Sequence, residues 1–401
     1  MACRSLLHAL LLMPLLFAVR AHASAPRAFD VISYEVALEP DIQQKRLQGK
    51  VTVWFDAVQR VQTLTLDAGE LDIASVTQGG RALQFEQTNG RLRITLAEPI
   101  PSGAFGNVRI AYSGAPRFGL EFAPERDEVY SVFSTSQWMP SVDAPDERAR
   151  LHLSLTLPAG LLAAGSGRAK PPRTLADGRI EHRWSSDSAL PAYVYGFAAG
   201  RYQEATRQHD AIALRFLSVD RTPAQLQTLF ARTGDMLDFF AARAGLPYRG
   251  ESYQQALVKS TIGQEMAGLS LMSEDYGQGV LDDPDDTALM AHEAAHQWWG
   301  NIVMPGKGPG GNIISEGLAE FSALMLLHHE LGEEQAKTLR RRWEKQYTEG
   351  RRADNERAIN RTDGTRPGDQ VVTYPRAGFV FWMLRDLMGE EQMLAGLKAF
   401  V

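Results

Sequence analysis

The stretch HEAAHQWWGN at residues 292–301 decides how the rest of the chain is read. Side chains four apart on a helix share one face, about 6 Å apart along the axis. His292 and His296 can therefore reach one metal ion, with Glu293 beside it rather than on it. Zinc suits such ligands: it needs only three protein groups and keeps a fourth position for water. The third ligand is Glu316, with 19 residues between it and His296, at the first turn of a helix predicted to open at Ser315. Glu320, one turn on, is placed to accept a free imidazole N–H, or else is an ordinary surface carboxylate. A bound divalent ion lowers the pKa of its water toward ~7, so Glu293 can act as general base and later hand the proton to a leaving amine. That is the chemistry of peptide hydrolysis.

Outward from this segment the apolar period is helical. Thr222 and Pro223 open a helix with an apolar face of Leu226, Leu229, Phe230, Leu237 and Phe240, and Gly245 closes it. The metal-binding helix is predicted over about 286–299, with Asp282, Asp283, Asp285 and Asp286 gathered at its positive end. A calcium site is the other reading of those aspartates, but the ligand spacing of a calcium loop is absent. Further helices are predicted from Ser315 to Gly332, from Glu333 to Gly350, and before Gly389. His328 and His329 cannot both share the metal-facing stripe and are expected at the surface, while Trp298 and Trp299 are read as packing residues.

From about residue 29 to 205 the period is two. In Leu151-His-Leu-Ser-Leu-Thr-Leu157 every second residue is apolar, and Val51–Phe55, Leu92–Leu96 and Val108–Ile110 behave alike. Gly79-Gly80, Asn89-Gly90 and Asp177-Gly178 supply the turns. An α+β, multidomain protein is expected: an antiparallel β saddle or sandwich at 24–205, then a mainly helical domain with a small sheet at 206–401.

With 44% hydrophobic and 22% charged residues, the 401-residue chain can bury more than one core and is neither disordered nor a coiled coil. Its 42 Lys+Arg against 48 Asp+Glu leave no basic stripe for nucleic acid. Residues 1–23 read as a secretory signal peptide: Arg4, an apolar stretch from Leu6 to Val19, and a small-x-small site at Ala21-His22-Ala23. The stretch is shorter than the ~20 apolar residues of a membrane span, so no stable membrane anchor is expected and the protein is read as secreted or periplasmic. Cys3, the single cysteine, would leave with the signal.

The motifs together resemble the gluzincin aminopeptidases, the family of membrane alanyl aminopeptidase and the bifunctional leukotriene hydrolase. HEAAHQWWGN resembles that family's HExxHxWxGN, and SEGLAEF at 315–321 its NEGFAEF. GQEMAGL at 263–269 is similar to the family's exopeptidase motif, and YPRAGFVFWMLRDLMG at 374–389 to the segment beginning YEKG. PSVDAPDERARLHLSLTLPAG and LPAYVYGFAAGRY extend the likeness into the β half. The resemblance implies a thermolysin-like catalytic domain with one zinc ion and peptide substrates that carry a free N-terminus. It makes Glu265 the group that grips the substrate α-amine and Tyr374 the oxyanion stabiliser, with Gly263 and Gly268 giving the backbone close access to peptide. Departures are the 19-residue spacing where the family has 18, Gln264 for methionine, Met266 for asparagine, Pro375 after the tyrosine, and a chain that stops at Val401, short of the family's further helical region. Two other readings keep the same residues: endopeptidase or epoxide hydrolysis on this fold, and a catalytically silent peptide-binding envelope protein.

Overall fold

The structure is a computed structural model that describes residues 27–260, 263–306, 308–352 and 356–401. The signal reading at 1–23, Cys3 included, lies outside the described residues. An N-terminal multi-sheet β domain is followed by a mainly helical domain built on a smaller sheet.

The alternation at 151–157 does what it predicts. Leu151, Leu153, Leu155 and Leu157 are all buried, and the residues between them are half-buried. Their strand, Arg150–Leu157, sits inside an eight-stranded sheet beside Phe29–Asp41, which pairs in turn with Arg46–Ala57 and then Phe105–Gly114. A three-stranded sheet of Val61–Asp67, Arg91–Ile100 and Gln84–Thr88 sends Leu64, Leu66, Leu92 and Ile94 into the same core. One pair departs from the antiparallel expectation: Phe29–Asp41 and Arg150–Leu157 run parallel, Tyr34 opposite Leu151. More than a hundred residues separate them, ample for the crossover that a parallel pair requires.

The second sheet has five strands in the order Gln203–His209, Ile212–Ser218, Ser252–Val258, Leu269–Ser273, Gly263–Met266. Its three middle strands are parallel, and Gly263–Met266 returns antiparallel as the edge strand. Tyr130, Ala164 and Ala198 of the β half share a small core with Val258, Met266 and Leu269, so the seam between the halves is itself apolar.

Thr222 caps its helix in a reciprocal box with Gln225, and Gly245 closes the run with φ +71°. The predicted single helix is two, Pro223–Leu229 and Thr233–Ala244, broken where Thr233 N–H turns back to the Phe230 carbonyl. The predicted metal-binding helix also ends early. It spans Ala288–Ala295 with His296 as its last cap, because Asn301 N–H bonds back to the His296 carbonyl and the chain reverses at Gly300, φ +131°. Asp285 and Asp286 stand just before its N-cap, Thr287, but the other two aspartates do not gather there: Asp282 closes the preceding helix, Glu274–Asp282, and Asp283 caps it. Asp286 also pairs with Arg342 at 3.2 Å.

Ser315 does not open its helix. A wide π turn, Ile313–Gly317, leads straight into Leu318–Leu331, which ends at Gly332. A second π turn, Val372–Arg376, precedes Ala377–Met388 and contains Pro375, which has no N–H to give an ordinary helical bond. The two wide turns lie together, and a Cβ on Gly317 would stand 2.7 Å from that of Ala377. Glu316 and Tyr374 are thereby delivered to the same place. His328 and His329 fall in the last turn of Leu318–Leu331, His329 exposed and His328 half-buried.

Candidate metal centre and peptide site

His292 and His296 project from one face of Ala288–Ala295 and its cap, their Nε2 atoms 3.0 Å apart. Glu316 comes up from the π turn to place Oε2 3.4 Å from His292 Nε2 and 3.3 Å from His296 Nε2. All three residues are buried. A tetrahedral ion with ligand bonds near 2.0–2.1 Å has ligand–ligand edges of about 3.3 Å, so this triangle has the size of one face of a zinc coordination shell. The donor chemistry agrees. His296 Nδ1 faces the Trp299 carbonyl at 2.7 Å. A carbonyl only accepts, so Nδ1 carries a hydrogen and Nε2 is the nitrogen left to face a metal.

Electrostatics point the same way. Burial alone would push the Glu316 carboxyl up, yet the imidazoles of His296 and His292 hold it well below the ordinary carboxylate range. Burial would depress His296, yet Glu316 and Glu265 push it up. The cluster calls for positive charge at its centre, which protons on the imidazoles or a divalent cation can supply.

Glu293 is 3% exposed and its Oε2 has no hydrogen-bond partner among the described residues. Burial raises its carboxyl to about 8 against the opposing pull of His292 and His296. Gly263 makes room for it: a Cβ there would lie 2.4 Å from Glu293 Oε1 and 2.8 Å from Leu289 Cδ1. Glu265 stands on the same edge strand, with ligand atoms of Glu265, Glu293 and His296 all within 4.8 Å of one another. Burial raises it too, with His296 pulling the other way. Gly268 is at the hairpin turn after that strand, φ +72°, where its N–H bonds Gln297 Oε1 at 3.0 Å. Its glycine is needed for that turn.

The Tyr374 ring stacks on His292 at 6.1 Å between centroids, 24° from parallel, with the Glu316 carboxylate among the charges around its hydroxyl. Burial, then the Glu316, Glu265 and Glu293 carboxylates, raise this phenol far above its ordinary range, so it stays a hydrogen-bond donor. Glu320 Oε1 lies 3.9 Å from His292 Nδ1, beside it but beyond hydrogen-bond length. Trp298 and Trp299 pack as expected, their indoles donating to the Leu246 carbonyl and to Ser322 Oγ.

Three participants were given no role at the site by the sequence reading. Ser315 Oγ donates to the Trp299 carbonyl at 3.3 Å, next to the bond from His296. Gln297 ties the turn of the Glu265 hairpin to the metal helix through Gly268 N–H and the Met266 carbonyl. Tyr193, from the β half, donates to the Gly300 carbonyl at 3.1 Å. Each left a signal only as one residue of a quoted segment: Ser315 in SEGLAEF, Gln297 in HEAAHQWWGN and Tyr193 in LPAYVYGFAAGRY.

Two sequence-family descriptions match this chain: the Peptidase M1 N-terminal domain over residues 31–194 and the Peptidase family M1 domain over 231–401. Leucine aminopeptidase 2 of Coccidioides immitis is 25% identical over 311 residues, 69% of this chain and 47% of that protein. Aminopeptidase 2 of Candida albicans is 17% identical over 68% of this chain and 32% of its own length, so the chain spans about half or less of these curated relatives. Aminopeptidase N of Acetobacter pasteurianus is 21% identical over 72% of this chain and 88% of its own length. Among solved structures, the M1 zinc metallopeptidase from Deinococcus radiodurans has the same fold, with TM-score 0.78 and 23% identity over 94% of this chain and 86% of that one. A mutant of that enzyme bound to a Tyr-Ser-Ala substrate superposes equally well, at 22% identity over 93% of this chain and 86% of the other. Among the described residues no helix is long and apolar enough to cross a membrane.

Proposed function

This chain belongs to peptidase family M1, and on that premise we propose that it is a zinc-dependent aminopeptidase acting at the N-terminus of peptides. The observation that carries the reading is the buried triangle of His292 Nε2, His296 Nε2 and Glu316 Oε2, with the Glu293 and Glu265 carboxyls beside it. These three residues would hold the zinc, which when bound supplies Lewis acidity and a water of lowered pKa. Glu293, buried and with Oε2 unpartnered among the described residues, would accept a proton from the attacking water and return it to the leaving amine. Glu265 faces the substrate ammonium in a charge-assisted contact that an acylated N-terminus cannot make. The Tyr374 phenol donates to the oxygen that becomes negative as the carbonyl is attacked, an interaction of about 3 kcal/mol realised in the transition state. The free side of the Gly263–Met266 edge strand offers backbone groups along which an extended peptide can lie.

Residues 1–23 support export, and the site of action is then the periplasm or the exterior. The activity is tested with matched aminoacyl anilides, free and N-acetylated, on the zinc-loaded full chain. The free form is hydrolysed and the acetylated form is not; equal rates would replace the exopeptidase reading by an endopeptidase one.

A further inference from the structure

We propose that Tyr193 of the β domain is a positioning residue for the zinc site, holding from across the seam the turn that orients His296. The inference rests on the zinc reading above and assigns a role to a residue which that reading does not use. Tyr193 belongs to a single 3-10 turn, Ala192–Val194, and is half-buried. Its hydroxyl reaches over the seam to the Gly300 carbonyl.

Two successive peptide units meet at Gly300. The first presents the Trp299 carbonyl to His296 Nδ1 at 2.7 Å, the bond that fixes the tautomer, and the Gly300 N–H to the Val303 carbonyl at 2.8 Å. The second presents the Asn301 N–H to the His296 carbonyl at 3.1 Å and the Gly300 carbonyl to Tyr193 at 3.1 Å. The hinge between them is a glycine at φ +131°, where a Cβ would stand 2.9 Å from Ser315 Oγ and 3.2 Å from His296 Nδ1. No other residue fits there, and a glycine hinge does not resist rotation of its own peptide planes. The second plane is tied at both ends, and one tie comes from the other domain.

The same 3-10 turn also holds the opposite wall of the site. The Val194 carbonyl accepts from Ala267 N–H at 2.8 Å, at the turn of the hairpin that carries Glu265. One short segment of the β domain thus sets both the turn behind a metal ligand and the hairpin that bears the amine-binding carboxylate.

Tyr195, two residues on, provides the control. Its hydroxyl likewise donates to a backbone carbonyl, that of Ala149, but within the β domain and from a fully buried side chain. Zinc release into excess chelator, and the visible spectrum after cobalt replacement, are measured for wild type, Tyr193→Phe, Tyr193→Met and Tyr195→Phe. Outer-shell partners of a metal ligand typically contribute 10–100-fold in affinity, and Tyr193 acts one bond further out. Zinc release is therefore expected to be about 5-fold faster or more in both Tyr193 variants, with a shifted cobalt spectrum. In Tyr195→Phe the melting temperature falls while release rate and spectrum stay those of wild type. Wild-type release rate and spectrum in both Tyr193 variants would overturn the proposal, as would equal acceleration in Tyr195→Phe. A wild-type chain that takes up no zinc would instead overturn the metal reading on which the proposal stands.

Discussion

Leu153 and Glu293 are buried to nearly the same degree, 1% and 3% exposed, one in the middle of the β domain and the other beside the cluster of His292, His296 and Glu316. For Leu153 burial is itself the stabilising term, worth roughly 2 kcal/mol for a side chain of that size. For Glu293, Glu316 and the two histidines burial is a cost, offset by opposite charge or, at Glu293, by a carboxyl that keeps its proton. The β half therefore gains stability from what it excludes from water, whereas the helical half holds a group of charges whose stability depends on what binds there. Substitutions in the two regions should fail differently.

The largest expected effect is at Glu293. Glu293→Gln keeps the volume and removes the base, so kcat should fall by about 10³-fold or more. Zinc content and melting temperature should remain those of wild type, as metal analysis and calorimetry would report; loss of zinc would make Glu293 a ligand instead. Next, Leu153→Ala should cost about 2–5 kcal/mol of stability in denaturant unfolding and leave zinc affinity within twofold. A change in zinc affinity comparable to that of a ligand substitution would erase the contrast between the regions. Gly263→Ala comes third: the new methyl meets Glu293 Oε1 and Leu289, so kcat should drop about 10-fold or more with little change in unfolding free energy. Wild-type kcat in that variant would show that Glu293 does not need the space.

The smallest effect is a shift of the pH profile. A carboxyl with a raised pKa is a base only above that pKa, so activity should be present at higher pH and lost as the pH falls through it. Burial places Glu293 at about 8 in the metal-free chain, and a bound cation lowers it. The acid limb of kcat/KM should therefore lie between the ordinary carboxylate range and about 8, and vanish in Glu293→Gln. A limb unaltered in the variant would assign it to another group.

How much of this was legible beforehand follows from distance along the chain. Two histidines one helical turn apart announce a shared metal because the helix fixes their geometry, and a glutamate at the next helix start completes the set. Alternation over 151–157 announces a buried strand face for the same local reason. The parallel partner of that strand lies more than a hundred residues upstream, and the Tyr193 hydroxyl bond spans 107 residues, so neither left a periodic trace. The early end of the metal helix and the two π turns depend on where side chains and backbone are pulled by neighbours: Asn301 back to His296, Ser315 to Trp299. Propensity alone continues a helix through such places. The displacement of Asp282 and Asp283 to the end of the preceding helix is the clearest cost of misplacing a boundary, because it reversed the sign of the dipole they face.

The account stands on one claim, that the buried triangle of two imidazoles and a carboxylate is built around a divalent ion. Equilibrium zinc titration of the wild-type chain and of Glu316→Gln, read by metal analysis after dialysis, tests it most directly. The expected result is one zinc per wild-type chain, with affinity lowered by 10²-fold or about that in the variant. A wild-type chain that retains no zinc, or a variant that binds it as tightly, would contradict it.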